Sequence, residues 1–158
     1  MRNKVVRTGQ IEVAKDDEIL EALGIGSCVI VCLYDRSKKL GGMAHIMLPE
    51  KSLLPENRRH QVSAPAEFVD DGINNLIKLL QKHGGELDSF EVKLFGGAEM
   101  FGNIRPAPES LGTINLNAVK KIIEDLGLEV VSEDVGGNTG RSLKFFLSSG
   151  DVEVRKRL

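Results

Sequence analysis

The chain has 158 residues, of which 41% are hydrophobic, and its 21 basic and 23 acidic side chains give a formal net charge of −2. This length and apolar content predict a single domain, residues 1–158, that folds without metal or disulfide support. The near balance of charge argues against general nucleic-acid binding. The sequence also shows neither a signal-peptide pattern nor an apolar stretch long enough to cross a membrane. We therefore expect a cytoplasmic protein with no membrane insertion, whose two cysteines are free thiols.

The N-terminal part of the sequence predicts a strand followed by a β-hairpin. Residues 9–14 alternate weakly between apolar and polar side chains, which is typical of a strand with one buried face. Two apolar runs, residues 28–34 and 40–48, then flank the polar residues 35–38. This pattern predicts two antiparallel strands joined by a four-residue loop.

The predicted hairpin brings a cysteine close to a histidine. If Tyr34 faces Lys39 across the loop, the numbers of opposed residues sum to 73, and Cys28 lies opposite His45. Opposed side chains share a face, with Cβ atoms about 4.5–5.5 Å apart. Because a neighbouring imidazole can accept the proton of a thiol, this pair suits nucleophilic catalysis. The alternative is that Cys28 is a small buried hydrophobe and His45 a core residue with its hydrogen bonds satisfied.

The residues around Cys28 suggest donors for an oxyanion and argue against a disulfide or a metal site. Glycines before it allow a substrate carbonyl to approach the backbone, which makes the N–H groups of Gly26 and Ser27 candidate oxyanion donors. Cys32 lies four residues beyond Cys28 on the predicted strand, a separation of roughly 13 Å. That distance is too long for a disulfide or a shared zinc ion, and the three histidines lack ligand spacing. The sequence therefore predicts no metal site and no cofactor.

Two amphipathic helices are predicted after the hairpin. Ser63 is the candidate N-cap of the first helix, and Gly84 ends it. The second helix is predicted to begin at an asparagine cap, either Asn115 or Asn117, and to end at Gly127.

Strands and glycine-containing turns make up the remainder of the chain. Residues 90–95 alternate as a strand and lead into Gly96 and Gly97, a turn that presents Met100 and Phe101. These two large apolar residues belong either to the core or to a contact surface at the rim of the site. Further strands are predicted after the second helix, at residues 128–135, 143–147 and 152–154.

The loop at residues 136–141 is rich in glycine but lacks the Gly-Lys-Ser/Thr signature of a phosphate-binding loop. We expect it to line a substrate cleft, with Asn138 and Arg141 as candidate cleft or partner contacts. Six or more strands with two helices predict an α/β fold, a single layered domain. Its mixed or antiparallel, sandwich-like sheets would pack against two main amphipathic helices.

Four sequence strings resemble successive motifs of one protein family. They are LGIGSC at 23–28, GGMAHIMLP at 41–49, FGGAEMF at 95–101 and EDVGGNTGRS at 133–142. In this order they resemble the CheD family, the chemoreceptor glutamine deamidases of bacterial and archaeal chemotaxis. The resemblance implies that Cys28 is the nucleophile and His45 the general base. It also implies methyl-accepting chemotaxis receptors as substrates and the CheC phosphatase as a partner.

One departure from the family pattern concerns the orientation of His45. The family commonly has a threonine six residues before the cysteine, which orients the histidine, and this chain has Ala22 at that position. An alanine side chain offers no hydrogen bond. The orienting role must therefore pass to a backbone carbonyl, a water molecule or another side chain, or be weaker here.

Two functions of different classes follow from these observations. The first is a protein-glutamine deamidase, a cysteine-dependent amidohydrolase that forms a thioester, releases ammonia and leaves glutamate. The second is a chemotaxis adaptor that engages receptors and CheC with weak or no catalysis. The absence of the usual threonine at Ala22 keeps the second function open.

Overall fold

Two β-sheets and two α-helices make up the fold of the residues that the structure describes. A computed structural model describes residues 2–50, 56–58, 63–99 and 110–156. Within these residues the strands are β1 (Asn3–Val5), β2 (Ile11–Lys15), β3 (Ile19–Ile25), β4 (Val29–Asp35), β5 (Leu40–Ile46), β6 (Phe90–Gly96), β7 (Glu129–Val135), β8 (Arg141–Phe146) and β9 (Val152–Lys156). The helices are α1 (Val69–Lys82) and α2 (Leu111–Asp125). None of the helices in the described ranges is long and apolar enough to cross a membrane.

Both sheets are mixed. The first has the strand order β1-β3-β8-β9, and the second has the order β2-β5-β4-β6-β7. Strand β1 runs parallel to β3 and β6 runs parallel to β7, whereas the other neighbours are antiparallel. Parallel neighbours need a crossover connection, and α2 lies in the connection between β6 and β7. The predicted α/β fold with mixed sheets and two helices is confirmed.

The elements form three layers, with one apolar cluster on each side of the five-stranded sheet. The cluster between the two sheets includes Ile30 and Met43 from the five-stranded sheet and Phe145 from the four-stranded sheet. On the other face, strand residues pack with apolar residues of α1 and α2 such as Leu76 and Val119. Strand β4 is buried along its whole length because both of its faces are covered, which explains its nearly unbroken apolar sequence.

The hairpin of β4 and β5 forms as predicted, but its register differs. Asp35 pairs with Leu40 and Ile30 pairs with His45, so opposed residue numbers sum to 75 and not to 73. The predicted direct pairing of Cys28 with His45 is therefore wrong. Asp35 belongs to the strand because its carboxylate is buried and accepts a hydrogen bond from Ser37 at 2.7 Å. The loop then consists of residues 36–39 and closes through Lys39, whose φ is +48°.

The starts of both helices also differ from the prediction. Helix α1 begins at Val69 and not near Ser63, because a turn closed from Glu67 N to Ala64 O at 3.1 Å and a bridge between Phe68 and Leu48 come before it. There, Leu48 N donates to Glu67 O at 2.9 Å, and Val69 N donates to Leu48 O at 3.0 Å. The N-cap of α2 is Ser110, whose side chain accepts from Thr113 N, and neither predicted asparagine caps the helix.

Candidate active site

Cys28 lies directly before β4, at the end of the short connection from β3. It is partly buried and packs against the apolar cluster between the two sheets. The carbonyl groups of this residue and of the two before it all accept hydrogen bonds. These run from Ala98 N to Gly26 O (3.0 Å), from Asn115 Nδ2 to Ser27 O (3.0 Å) and from Gly97 N to Cys28 O (2.8 Å). The backbone that carries the thiol is thus fixed by the turn after β6 and by helix α2.

His45 lies on β5 and is held by its backbone as well as by its side chain. Its N–H donates to Gln10 O at 3.0 Å, and its carbonyl accepts from Gly9 N at 2.8 Å. The imidazole is buried, with 4% of its surface exposed, and its Nδ1 lies 3.1 Å from the carbonyl oxygen of Val6. A buried histidine with one ring nitrogen already bonded has a defined orientation.

The contact with Val6 also determines the tautomer of His45. A carbonyl oxygen only accepts hydrogen bonds, so Nδ1 carries the proton and donates it to Val6 O. In the neutral ring, Nε2 is then the basic nitrogen. Val6 is held in turn by a 2.7 Å bond from its N–H to Glu21 O. A backbone carbonyl therefore orients the imidazole in this chain, where Ala22 is buried in the apolar cluster between the sheets.

Cys28 and His45 share one face of the sheet although they are not directly opposed. His45 is opposite Ile30, and Cys28 lies two residues before Ile30. Opposed residues share a face, so His45 lies on the face of Ile30, which belongs to the apolar cluster between the sheets, and Cys28 packs against the same cluster. The structure thus brings the two predicted residues to the same end of the same interlayer space.

Burial dictates the protonation states of the two groups. Burial raises the pKa of the Cys28 thiol above its ordinary value, and a hydrogen bond from its own backbone N–H counters this only in part. Burial also lowers the pKa of His45, and the bond to Val6 O offsets part of that effect. At neutral pH the thiol is therefore protonated and the imidazole neutral. This combination suits a histidine that removes the thiol proton during attack.

The second cysteine is unsuited to nucleophilic chemistry. Cys32 is 1% exposed and lies within the apolar cluster between the sheets. Its complete burial raises the pKa of its thiol far above the ordinary value, and the positive charge of Lys93 reduces this effect only slightly. Both cysteines are free, as predicted.

The glycine-rich loop of residues 136–140 lies against the turn that follows β6. Gly136 N donates to Gly96 O at 2.8 Å, and Glu99 N donates to Gly137 O at 2.7 Å. The same turn bonds to the backbone at Cys28, so the loop is connected to the backbone of Cys28 through that turn. Asn138 is exposed on this loop, where its role as a cleft contact stays a prediction.

Arg141 is buried and holds this loop in place. Its guanidinium donates to the carboxylate of Asp134 at 2.9 Å and to the carbonyl oxygens of Asp134 and Gly136. All of these bonds are made within the protein. The predicted contact of Arg141 with a substrate or partner stays a prediction. Met100 and Phe101 lie outside the described residues.

Two contributors to the site were missed by the sequence analysis. The carbonyl of Val6 is a backbone group, which no side-chain pattern reveals. Asn115 is interpreted from sequence as a helix cap, whereas in the structure it lies inside α2 and bonds to Ser27. The available signal was a polar residue on the apolar face of the predicted helix. Among the described residues, no cluster of three or more His, Cys, Asp or Glu side chains is arranged to hold a metal ion.

Comparison with known proteins identifies the family. A profile described as CheD chemotactic sensory transduction matches residues 47–156. A probable chemoreceptor glutamine deamidase CheD from Methanococcus maripaludis is 44% identical over 151 residues, covering 96% of this chain and 93% of that protein. A protein of the same description from Pyrococcus horikoshii is 40% identical, with 99% and 93% covered. The chemoreceptor glutamine deamidase CheD of Thermotoga maritima is 35% identical, with 97% and 91% covered.

The profile begins after Cys28 and His45, but the alignments with these relatives extend over nearly the whole chain and so span both residues. Profile and relatives agree with the resemblance of the four motifs. The chain therefore belongs to the CheD family.

Proposed function

We propose that this protein is a protein-glutamine glutaminase that converts glutamine side chains of chemotaxis receptors to glutamate through a thioester on Cys28. The observation that carries the proposal is the arrangement of the two side chains in a chain of the CheD family. A buried imidazole with its Nδ1 bonded to Val6 O lies on the same sheet face as the only thiol in the described residues that is partly exposed. Its relatives are named as chemoreceptor glutamine deamidases.

In the first half of the reaction, a covalent bond forms to the substrate and ammonia leaves. As the Cys28 sulfur attacks the carboxamide carbon of glutamine, Nε2 of His45 takes the thiol proton. The carbon–nitrogen bond then breaks, and the protonated imidazole gives its proton to the departing nitrogen. The products of this step are a thioester and ammonia. The N–H groups of Gly26 and Ser27 are the proposed donors to the oxyanion that develops on the substrate.

In the second half, water hydrolyses the thioester. Nε2 of His45 removes a proton from the water as its oxygen attacks the thioester carbon. When the carbon–sulfur bond breaks, the proton returns from His45 to the sulfur, which restores the thiol of Cys28. Throughout both halves, Nδ1 keeps its proton and donates it to Val6 O. The ring therefore keeps its orientation while Nε2 accepts and returns protons.

The partner proposal rests on the family resemblance. We propose that the protein also binds the CheC phosphatase, with Met100 and Phe101 as contact residues. Binding receptors and CheC without catalysis is the competing function, since the usual threonine is absent. The bond between His45 and Val6 favours catalysis, because it supplies the orientation that Ala22 does not.

Mass spectrometry tests the proposed function directly. The protein is incubated with a receptor fragment whose cytoplasmic helices contain glutamine, and the fragment is then digested and weighed. A deamidase adds about 1 Da at each converted glutamine, since an amide nitrogen is replaced by oxygen. A fragment that binds but keeps its mass would leave the adaptor function and overturn the enzymatic one.

We expect kcat/KM to follow a broad bell-shaped dependence on pH. Activity is lost as pH falls through the lowered pKa of His45, because the protonated ring cannot accept the thiol proton; this limb is expected below pH 6.5. Activity is lost again as pH rises through the raised pKa of Cys28, above pH 9.0. Once the thiol has lost its proton to solvent, His45 has no proton to give to the departing nitrogen. Glutamine does not titrate in this range, so kcat/KM reports the enzyme. A plateau narrower than these two limits would contradict the protonation states assigned here.

A further inference from the structure

Strands β4 and β5 stop pairing one residue before the ladder would reach Cys28. The last ladder pair at this end is Val29 with Ile46. One step further, Cys28 and Met47 lie outside both strands. The ladder hydrogen bonds that fix the distance between paired strands are therefore missing at this step, which leaves a gap in the pairing.

The side chain of Asn115 spans this gap from helix α2. Its Nδ2 donates to Ser27 O at 3.0 Å and to Met47 O at 2.9 Å. One acceptor directly precedes Cys28, and the other lies two residues after His45. A single amide group therefore ties the backbone of the nucleophile to the backbone of the general base. Only the nitrogen can make this bridge, because both partners are carbonyl oxygens.

Core packing alone does not account for an asparagine at this position. Asn115 is fully buried inside α2, next to residues of the apolar cluster that joins the helix to the sheet. Its Oδ1 is buried and has no hydrogen-bond partner among the described residues. A buried acceptor without a partner is unfavourable, and asparagine is also a poor residue for a helix interior. Both costs point to a role that requires the amide nitrogen.

We propose that Asn115 is a positioning residue that sets the separation of Cys28 and His45 through the carbonyl groups of Ser27 and Met47. The inference rests on the proposed function, because it assigns a catalytic consequence to the distance between these two side chains. Asn115 itself does not touch the substrate. Its effect is transmitted through the two backbone segments that it joins.

The first test compares Asn115→Leu with Tyr34→Phe. Leucine keeps a side chain of similar size and removes both hydrogen bonds. Tyr34→Phe removes another buried bond, the 2.7 Å contact from Tyr34 Oη to Leu147 O, at the far end of β4. We expect Asn115→Leu to lower kcat about 10- to 100-fold with little change in KM, since small misplacements of reacting groups have effects of this size. Tyr34→Phe is expected to lower the melting temperature while kcat stays at the wild-type value.

The second test needs no glutamine substrate, so it can fail independently of the proposed function. The rate of alkylation of Cys28 by iodoacetamide is measured against pH, with Cys28→Ala as the blank for Cys32. If His45 assists the thiol, separating the two should slow alkylation at pH 7 in Asn115→Leu and leave Tyr34→Phe unchanged. Slower alkylation in Asn115→Leu supports the positioning role even if the receptor fragment proves not to be a substrate.

Two results would overturn the inference. One is an Asn115→Leu protein with a lowered melting temperature but wild-type kcat and alkylation rate, which would make the residue a structural one. The other is failure of both Asn115→Leu and the smaller Asn115→Ala to give a cooperative melt, which would assign Asn115 to the core alone. If only the leucine variant fails to fold, the alanine variant is measured in its place and judged by the same criteria.

Discussion

Replacement of Cys28 by alanine is expected to abolish deamidation, with kcat lowered by at least about 1,000-fold, because the thioester cannot form without the sulfur. The fold should persist, since a small residue replaces a small one that is only partly buried. The readout is the mass of the receptor fragment after incubation, together with the thermal melt of the variant. Turnover at the wild-type rate in folded Cys28→Ala protein would exclude the mechanism.

Cys32 provides a matched control for this experiment. Cys32→Ala removes the second thiol from β4, four residues after Cys28, where it is buried in the apolar cluster against which Cys28 packs. We expect a small loss of stability and unchanged kcat. His45→Ala should reduce kcat about 100- to 10,000-fold, the range for loss of a general acid–base group. The exposed His83 at the end of α1 is its control, because His83→Ala removes an imidazole far from Cys28.

Gly96→Ala is expected to have the second large effect, on stability and activity together. Gly96 has a φ of +95°, and an added Cβ would lie 2.2 Å from the carbonyl oxygen of Cys28. That carbonyl must then move, and its bond from Gly97 N at 2.8 Å is lost. Left-handed strain and overpacking together predict a loss of about 2–5 kcal/mol in the free energy of unfolding. Because the displaced carbonyl belongs to the nucleophile, kcat should fall in the protein that remains folded.

Gly84 separates these two causes. It has nearly the same backbone conformation, with φ of +93°, but an added Cβ would meet no atom within 4 Å. Gly84→Ala should therefore show the strain alone, about 1–2 kcal/mol, with normal kcat. Denaturant unfolding and steady-state kinetics on both variants give the comparison. Equal losses of stability with normal kcat in both would mean that the position of the Cys28 carbonyl does not matter for catalysis.

The hairpin shows which parts of the fold can be predicted from sequence. The apolar runs identify both strands, because burial on two faces requires them. The register depends on whether Asp35 or Lys39 belongs to the loop. Tertiary contacts and backbone conformation decide this, and the pattern of apolar and polar residues does not show them. Asp35 is buried with a bond from Ser37, and Lys39 adopts a positive φ, so the loop moves by one residue. The predicted start of α1 is wrong for a similar reason, since a turn at Ala64–Glu67 and tertiary hydrogen bonds to Leu48 precede the helix.

The error in the register left the predicted faces of the hairpin side chains unchanged, for a geometric reason. The predicted and observed pairings differ by two residues, and a shift of two leaves every side chain on its original face. Cys28 and His45 were thus placed on the correct face with the wrong spacing. The groups that complete the site, the carbonyl of Val6 and the amide of Asn115, come from distant segments. Their positions follow from the packing of whole layers and could not be read from local patterns.

The topology also affects when a newly made chain becomes active. Strand β3, which leads into Cys28, pairs with β8, and Gly24 N bonds to Ser142 Oγ across 118 residues of sequence. A ribosome therefore completes Cys28 and His45 long before β8, which packs over the same interlayer space. Such non-local pairing is slow to form, because the entropy of closing a long loop is lost before any stabilising contact is made. Until β8 docks, the apolar cluster beside Cys28 and Cys32 lacks the side chains that β8 contributes, among them Leu143 and Phe145. Refolding chains should accordingly regain helix content before they regain deamidase activity.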